Sequence, residues 1–238
     1  MDLLQRFIPD ARTLALVAPA ALVYTLVAAA LAARLRTRGV RAPYTRKIFH
    51  FVIFTMAVAV HVVFGAPGVA VYGSIVAAAV VYATMRGDGF PFFEAMARPT
   101  DAPHRAVFVI VPLVTTALGG VLSNLLFADF AVVGYLVAGW GDAVGEPVGT
   151  RWGRHRYRVP SLAGVKATRS IEGSGAVLLC GAAAATIVLL LRGYDVPTAL
   201  AVGVACGLAG AAVEAISTHG LDNLTVQLAA AATAHLLL

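Results

Sequence analysis

Charged side chains are scarce in this chain: Asp, Glu, Lys and Arg make up 13% of its 238 residues. An ordinary soluble domain carries about a quarter, and here a hydrophobic fraction of 60% takes the place of the missing charge. No polar stretch is long enough to fold by itself, which excludes a separate soluble domain. Cysteine is nearly absent. Cys180 and Cys206 both lie in apolar segments, where they read as small buried residues, not as a disulfide or a metal pair. A cleaved leader is not expected either, because the first apolar run, Thr13 to Ala33, is too long for a signal core and has its positive charges after it.

What the chain does have is hydrophobic runs of about 17 to 25 residues, each long enough to cross a bilayer. The expected fold class is all-α: a polytopic transmembrane helical bundle forming one domain over residues 1–238. Eight spans are expected, at about 13–33, 48–64, 67–85, 106–122, 128–146, 171–191, 197–215 and 222–238. The net charge of +6 does not point to nucleic acid, since most of the cations sit in short loops, where the positive-inside rule places them.

Those loops orient the bundle. Arg34, Arg36, Arg38, Arg41, Arg46 and Lys47 follow the first span without an acid among them, and Arg151, Arg154, Arg156, Arg158, Lys166 and Arg169 follow the fifth. With both on the inside, the cytoplasmic loops are 34–47, 86–105, 147–170 and 216–221, and both termini lie outside. Fifteen of the eighteen basic residues then face the cytoplasm. The alanine-, glycine- and arginine-rich composition points to a prokaryotic cytoplasmic membrane. The 86–105 segment, with mixed aromatics, acids and arginines, reads either as a short amphipathic surface helix or as a structured connection.

Acids inside membrane helices are costly and usually mark function. Asp142 lies roughly 22 Å along its span at 1.5 Å per residue, close to the cytoplasmic end, and Glu146 follows one turn later on the same face. Two carboxylates so placed suit Mg²⁺, which takes oxygen ligands and is often held by one or two carboxylates plus substrate phosphates. A pair of interfacial acids touching only water or arginine is the plainer alternative. Gly141, Gly145, Gly149 and Gly153 form a stripe every four residues, suited to close helix packing or to the approach of a phosphate. Pro147 makes a bend after Glu146 the expected outcome.

Three further polar clusters stand at the same side. Lys166 and Arg169, three residues apart, are placed to meet one polyphosphate. Ser170 is a candidate cap for the sixth span, with Gly173 and Ser174 in its first turn, where a helix N-terminus favours anions. Glu214 lies roughly 26 Å along the seventh span, and Asp222 and Asn223 open the eighth, where such residues are also common caps. Arg46, Lys47 and His50 open the second span, Arg46 and His50 on one face. Basic groups for phosphate, acids for a metal and an adjoining bilayer suit an enzyme that joins a soluble nucleotide to a membrane-bound substrate.

The motifs "RKIFH", "GDAVGEPVGTRWG", "TRSIEGS" and "DNLTV", in that order between hydrophobic spans, resemble those of the dolichol kinase and phytol kinase family, which includes CTP-dependent diacylglycerol kinases and is more distantly similar to phosphatidate cytidylyltransferases. The resemblance implies a multi-pass membrane kinase that transfers the γ-phosphate of CTP, with Mg²⁺, to a lipid alcohol. It assigns Asp142 to the Gly-Asp motif, Glu172, Gly173 and Ser174 to the Glu-Gly-Ser motif, Asp222 and Asn223 to the Asp-Asn motif, and Arg46, Lys47 and His50 to the basic opening of an early span. It also implies that Asp142 with Glu146 or Asp222 holds the metal, that Lys166, Arg169, Arg46 and Lys47 neutralise phosphate, and that His50 or a remaining acid takes the hydroxyl proton. Glu214 would support these from behind. One departure stands out: Arg169 occupies the position where the family pattern leads us to expect lysine. Two other readings stay open at this point, a cytidylyltransferase making a CDP-lipid and a transporter using its acids as ion sites.

Overall fold

A computed structural model describes residues 3–161, 166–218 and 220–238. The chain is an assembly of helices with one short β-ribbon, and it falls into two compact units, Met1–Leu113 and Val114–Leu238. Among the described residues, five helical runs are long and apolar enough to cross a membrane. Two of them, Ala42–Arg86 and Val107–Trp152, are double-length and broken near the middle. The helices present large apolar groups outward and small ones inward. In α1 (Ala11–Thr37), Ala21, Ala28 and Ala32 are buried while Leu22, Val23, Leu26 and Val27 are exposed. That inversion is expected where lipid is the solvent and close backbone approach, not burial of bulk, holds helices together.

In the first unit, α2 (Ala42–Arg86) is two arms, because Gly65 adopts φ +64 and ψ −159, a conformation that glycine reaches without steric cost. Pro67 follows at the start of the second arm, where its missing N–H breaks no helical bond. The arms fold back on each other: the Tyr72 hydroxyl donates to the Ile53 carbonyl at 3.0 Å, whereas a straight helix would hold residues that far apart in sequence roughly 28 Å apart. The Tyr24 hydroxyl of α1 donates to the Val52 carbonyl at 3.1 Å, tying α1 to the same arm. The 86–105 stretch contains a short helix, α3 (Pro91–Met96), whose Phe92, Phe93 and Met96 are buried in the core with Phe49, Tyr72 and Val80. It is therefore a packed connection and not a helix lying free on a surface. Arg36 donates to the Glu94 carbonyl at 3.0 Å and Thr45 to the Ala95 carbonyl at 2.7 Å. Arg105 grips the Glu94 carboxylate at 3.1 and 2.8 Å and Asp88 at 2.5 Å.

The helix α4 (Val107–Phe127) runs across the boundary at residues 113 and 114. In the second unit, α5 (Ala131–Trp152), α6 (Ile171–Leu191), α7 (Val196–Ile216) and α8 (Asp222–Leu237) close a ring in which each packs on the next and α8 returns to α5. Each stretch expected as a span overlaps a helix, with the two arms of α2 answering to two of them. At 16 residues, α8 is shorter than the roughly 20 that cross a hydrocarbon core.

Two expectations need correction. The helix α5 does not end after Glu146 but continues through Pro147 to Trp152, and the 147–170 loop is largely ordered as this last turn and an antiparallel ribbon of β1 (Arg156–Val159) and β2 (Ala167–Ser170). The glycine stripe explains the first. A Cβ on Gly145 would lie 2.5 Å from a Val177 methyl, and one on Gly149 would lie 3.0 Å from Ser170 Oγ. The stripe is the surface on which α6 packs, and that packing holds the helix together past the one hydrogen bond that Pro147 removes.

Candidate functional site

The second unit gathers acids from three helices around one narrow cleft, closed to a water-sized sphere. Asp142 of α5, Glu214 of α7, and Asp222 and Asn223 of α8 line it, with Ala138, Val177 and Val226 as its apolar wall. Asp222 was a candidate cap, but Leu221 holds the cap position of α8; the Asp222 carboxylate lines the cleft and accepts from the Asn223 amide at 3.1 Å.

The ribbon delivers a cation to these acids. Its register pairs Tyr157 with Arg169, so both side chains leave the same face. Arg169 is 10% exposed, and its guanidinium is divided between two helices: Nε lies 2.9 Å from Glu214 Oε1 and Nη2 lies 2.9 Å from Asp222 Oδ2. A planar fork of donors can hold two carboxylates at once, which a single ammonium cannot do with the same geometry. The third donor group, Nη1, is buried with no hydrogen-bond partner among the described residues.

Glu214 is held from its other side. Ser174 Oγ is 3.4 Å from Glu214 Oε2, and the Tyr157 hydroxyl is 2.8 Å from Ser174 Oγ. Tyr157 and Ser174 thus belong to one chain of hydrogen bonds that ends on Arg169. Sequence reasoning missed Tyr157. Its signal was the alternation of Arg156, Tyr157, Arg158 and Val159, which has the period of a strand.

The remaining motif residues divide. Ser170 caps α6 as expected, accepting from the Gly173 amide at 3.1 Å. Gly173 serves packing, since an added Cβ would lie 3.0 Å from the Gly145 carbonyl oxygen. Glu172 turns to His155, whose Nδ1 is 2.8 Å from its carboxylate. Lys166 is exposed, whereas Arg169 is turned inward, so the pair does not share a face; residues three apart along a strand point to opposite sides. Glu146 is half-buried one turn beyond Asp142 and does not line the cleft. Asn223 donates to Thr116 of α4 at 2.9 Å, and Thr115 donates to the Gly220 carbonyl at 2.8 Å, which fixes the start of α8. Arg46, Lys47 and His50 belong to the first unit, on the opening turns of α2. There Lys47 is 2% exposed and the His50 ring stacks on Phe54 with centroids 4.4 Å apart.

The donor set suits a hard divalent cation, because every acidic group in the cleft is a carboxylate. Among the described residues no three ligand side chains stand close enough to cage an ion. Mg²⁺ does not need a cage, since water and substrate phosphates commonly complete its shell. Asp142 and Asp222 are the residues that would hold it.

Comparison with known proteins adds one relative. Over 102 residues the chain is 36% identical to a phytol kinase of Synechocystis sp.. No family model and no solved structure matches the chain. The matched stretch covers 43% of this chain and 42% of that kinase, so it spans less than half of either protein.

Proposed function

We propose that this protein is a membrane lipid-alcohol kinase that transfers the γ-phosphate of CTP to phytol, a polyprenol or a related isoprenoid alcohol. The observation that carries the reading is the convergence of Asp142, Glu214 and Asp222 with Arg169 at one cleft, in a chain similar over part of its length to a phytol kinase. Phosphoryl transfer depends chiefly on positioning and on neutralising phosphate charge, and a cleft with both signs of charge at the end of apolar helices suits that work. Asp142 and Asp222, with Glu146 one turn beyond Asp142, would hold Mg²⁺, which would supply charge neutralisation for the phosphates. Arg169 Nη1 is the donor proposed for a phosphate oxygen, and the exposed Lys166 the cation for the outer phosphates. Arg46, Lys47 and His50, in the first unit, are proposed on the family resemblance alone as phosphate-binding groups, and His50 or a cleft carboxylate as acceptor of the hydroxyl proton. The site would face the cytoplasm, a reading supported by the arginine-rich loops beside it.

The test is a panel of phytol, farnesol, polyprenol and diacylglycerol, offered to purified protein with Mg²⁺ and CTP labelled in either the α- or the γ-phosphate. The reading expects γ-label in the lipid. Entry of α-label with release of pyrophosphate would make the protein a cytidylyltransferase instead.

A further inference from the structure

The ribbon that carries Arg169 inward has a second face. In the same register Arg156 pairs with Ser170 and Arg158 with Thr168, so the side chains of Arg156 and Arg158 leave the face opposite to Tyr157 and Arg169. Arg154, Arg156 and Arg158 are all exposed, as is Thr168. No Asp or Glu occurs anywhere from Pro147 to Ile171, and the next acid, Glu172, is taken by His155. Arg156 donates to the Gly153 carbonyl at 3.3 Å; Arg154 and Arg158 have no carboxylate partner among the described residues.

Position along the fold says what these cations meet. The ribbon joins the last turn of α5 to the first turn of α6, both of which end apolar helices. Trp152, 59% exposed, stands just before it with Arg151 over its ring at 5.3 Å, and Ile171, 63% exposed, stands just after. Exposed tryptophan and apolar side chains beside arginine mark the depth of lipid headgroups. Loop arginines explain orientation alone; a strand that sets Arg156 and Arg158 on one face, beside no carboxylate and next to an exposed tryptophan, goes further.

We infer that the outer face of the ribbon, with Arg156 and Arg158 on it and the exposed Arg154 just before it, is a binding surface for the phosphates of anionic lipid headgroups. The surface is separate from the cleft, and its occupation would steady the strand that holds Arg169 against Glu214 and Asp222. The inference does not depend on the proposed kinase reaction.

The experiment uses the full chain in nanodiscs of phosphatidylcholine alone or mixed with phosphatidylglycerol, and follows amide hydrogen exchange over residues 153–160. Phosphatidylglycerol should slow exchange by up to about fivefold for each arginine engaged, the effect fading as salt rises. The triple variant R154Q/R156Q/R158Q should lose the lipid dependence, and R154K/R156K/R158K should keep most of it. Equal exchange of the natural protein in both lipids would overturn the inference, as would an undiminished lipid effect in the glutamine variant. Inorganic phosphate added to the phosphatidylcholine discs should change nothing; if it slows exchange as much as phosphatidylglycerol does, the surface is a site for soluble anions and the lipid assignment fails.

Discussion

Arg169 Nη2 lies 2.9 Å from Asp222 Oδ2 across 53 residues of sequence. This ion pair joins the β-ribbon to α8, and with the bond to Glu214 it makes one side chain the meeting point of three elements. Both partners are largely buried, so the pair matters most through what its loss leaves behind.

Replacing Arg169 by alanine strands Glu214 and Asp222 without their cation. The expected cost is about 3–5 kcal/mol of stability, read as a fall in the thermal midpoint in detergent. R169K keeps the charge and loses the fork. It should fold and bind nucleotide while transfer slows by about ten- to a hundredfold, the equivalent of one charge-assisted hydrogen bond.

The hydroxyl of Tyr157 acts on the cleft through Ser174 and Glu214. Y157F deletes one hydrogen bond and should cost about 1 kcal/mol of stability. A larger fall in kcat than in nucleotide affinity is expected, because the hydroxyl orients Arg169 indirectly. A Y157F/E214Q double variant should fall short of the sum of the single effects, since the two residues lie in one network.

Two glycines of similar sequence context should respond oppositely. G145A places a methyl 2.5 Å from a Val177 methyl, and overpacking of that kind costs about 1–3 kcal/mol. A Cβ at Gly175 meets nothing within 4 Å, so G175A should stabilise α6 by roughly 0.5–1 kcal/mol. Thermal unfolding of the two variants side by side decides whether the stripe on α5 is a packing surface.

In the first unit, the hydrogen bond from Arg105 holds the Glu94 carboxyl below its ordinary value. A carboxylate depressed in the folded state contributes stability that is present above its unfolded value and is lost as pH falls through the folded one. Exchange protection over residues 87–98 should therefore drop as pH falls below the usual carboxylate range. In E94Q that acid-side dependence should be weakened throughout, with lower protection at neutral pH.

The helices were legible because each apolar run is long, which hydropathy detects directly. The acids of the cleft were legible for a related reason: Asp142 and Glu214 interrupt hydrophobic sequence, and an interruption that is costly in lipid marks itself. The ribbon was not read, because four residues per strand are too few for periodicity to outweigh their charge. The continuation of α5 beyond Pro147 was hidden as well. It rests on the fit of Gly145 and Gly149 against Val177, Ser170 and Gly173, a tertiary contact that no local rule contains. Arg169 and Lys166, three residues apart, looked like a pair for one polyphosphate, and the strand conformation of Ala167–Ser170 is what separates them.

The most direct measurement compares the natural protein with D142N, each supplied with γ-labelled CTP, Mg²⁺ and phytol in lipid. The proposed site predicts transfer of label by the natural protein and its loss in D142N, with the thermal midpoint and the ion pairs of Arg169 preserved. Transfer by D142N at the natural rate would contradict the account, because the cleft around Asp142 would then not be where the phosphate moves.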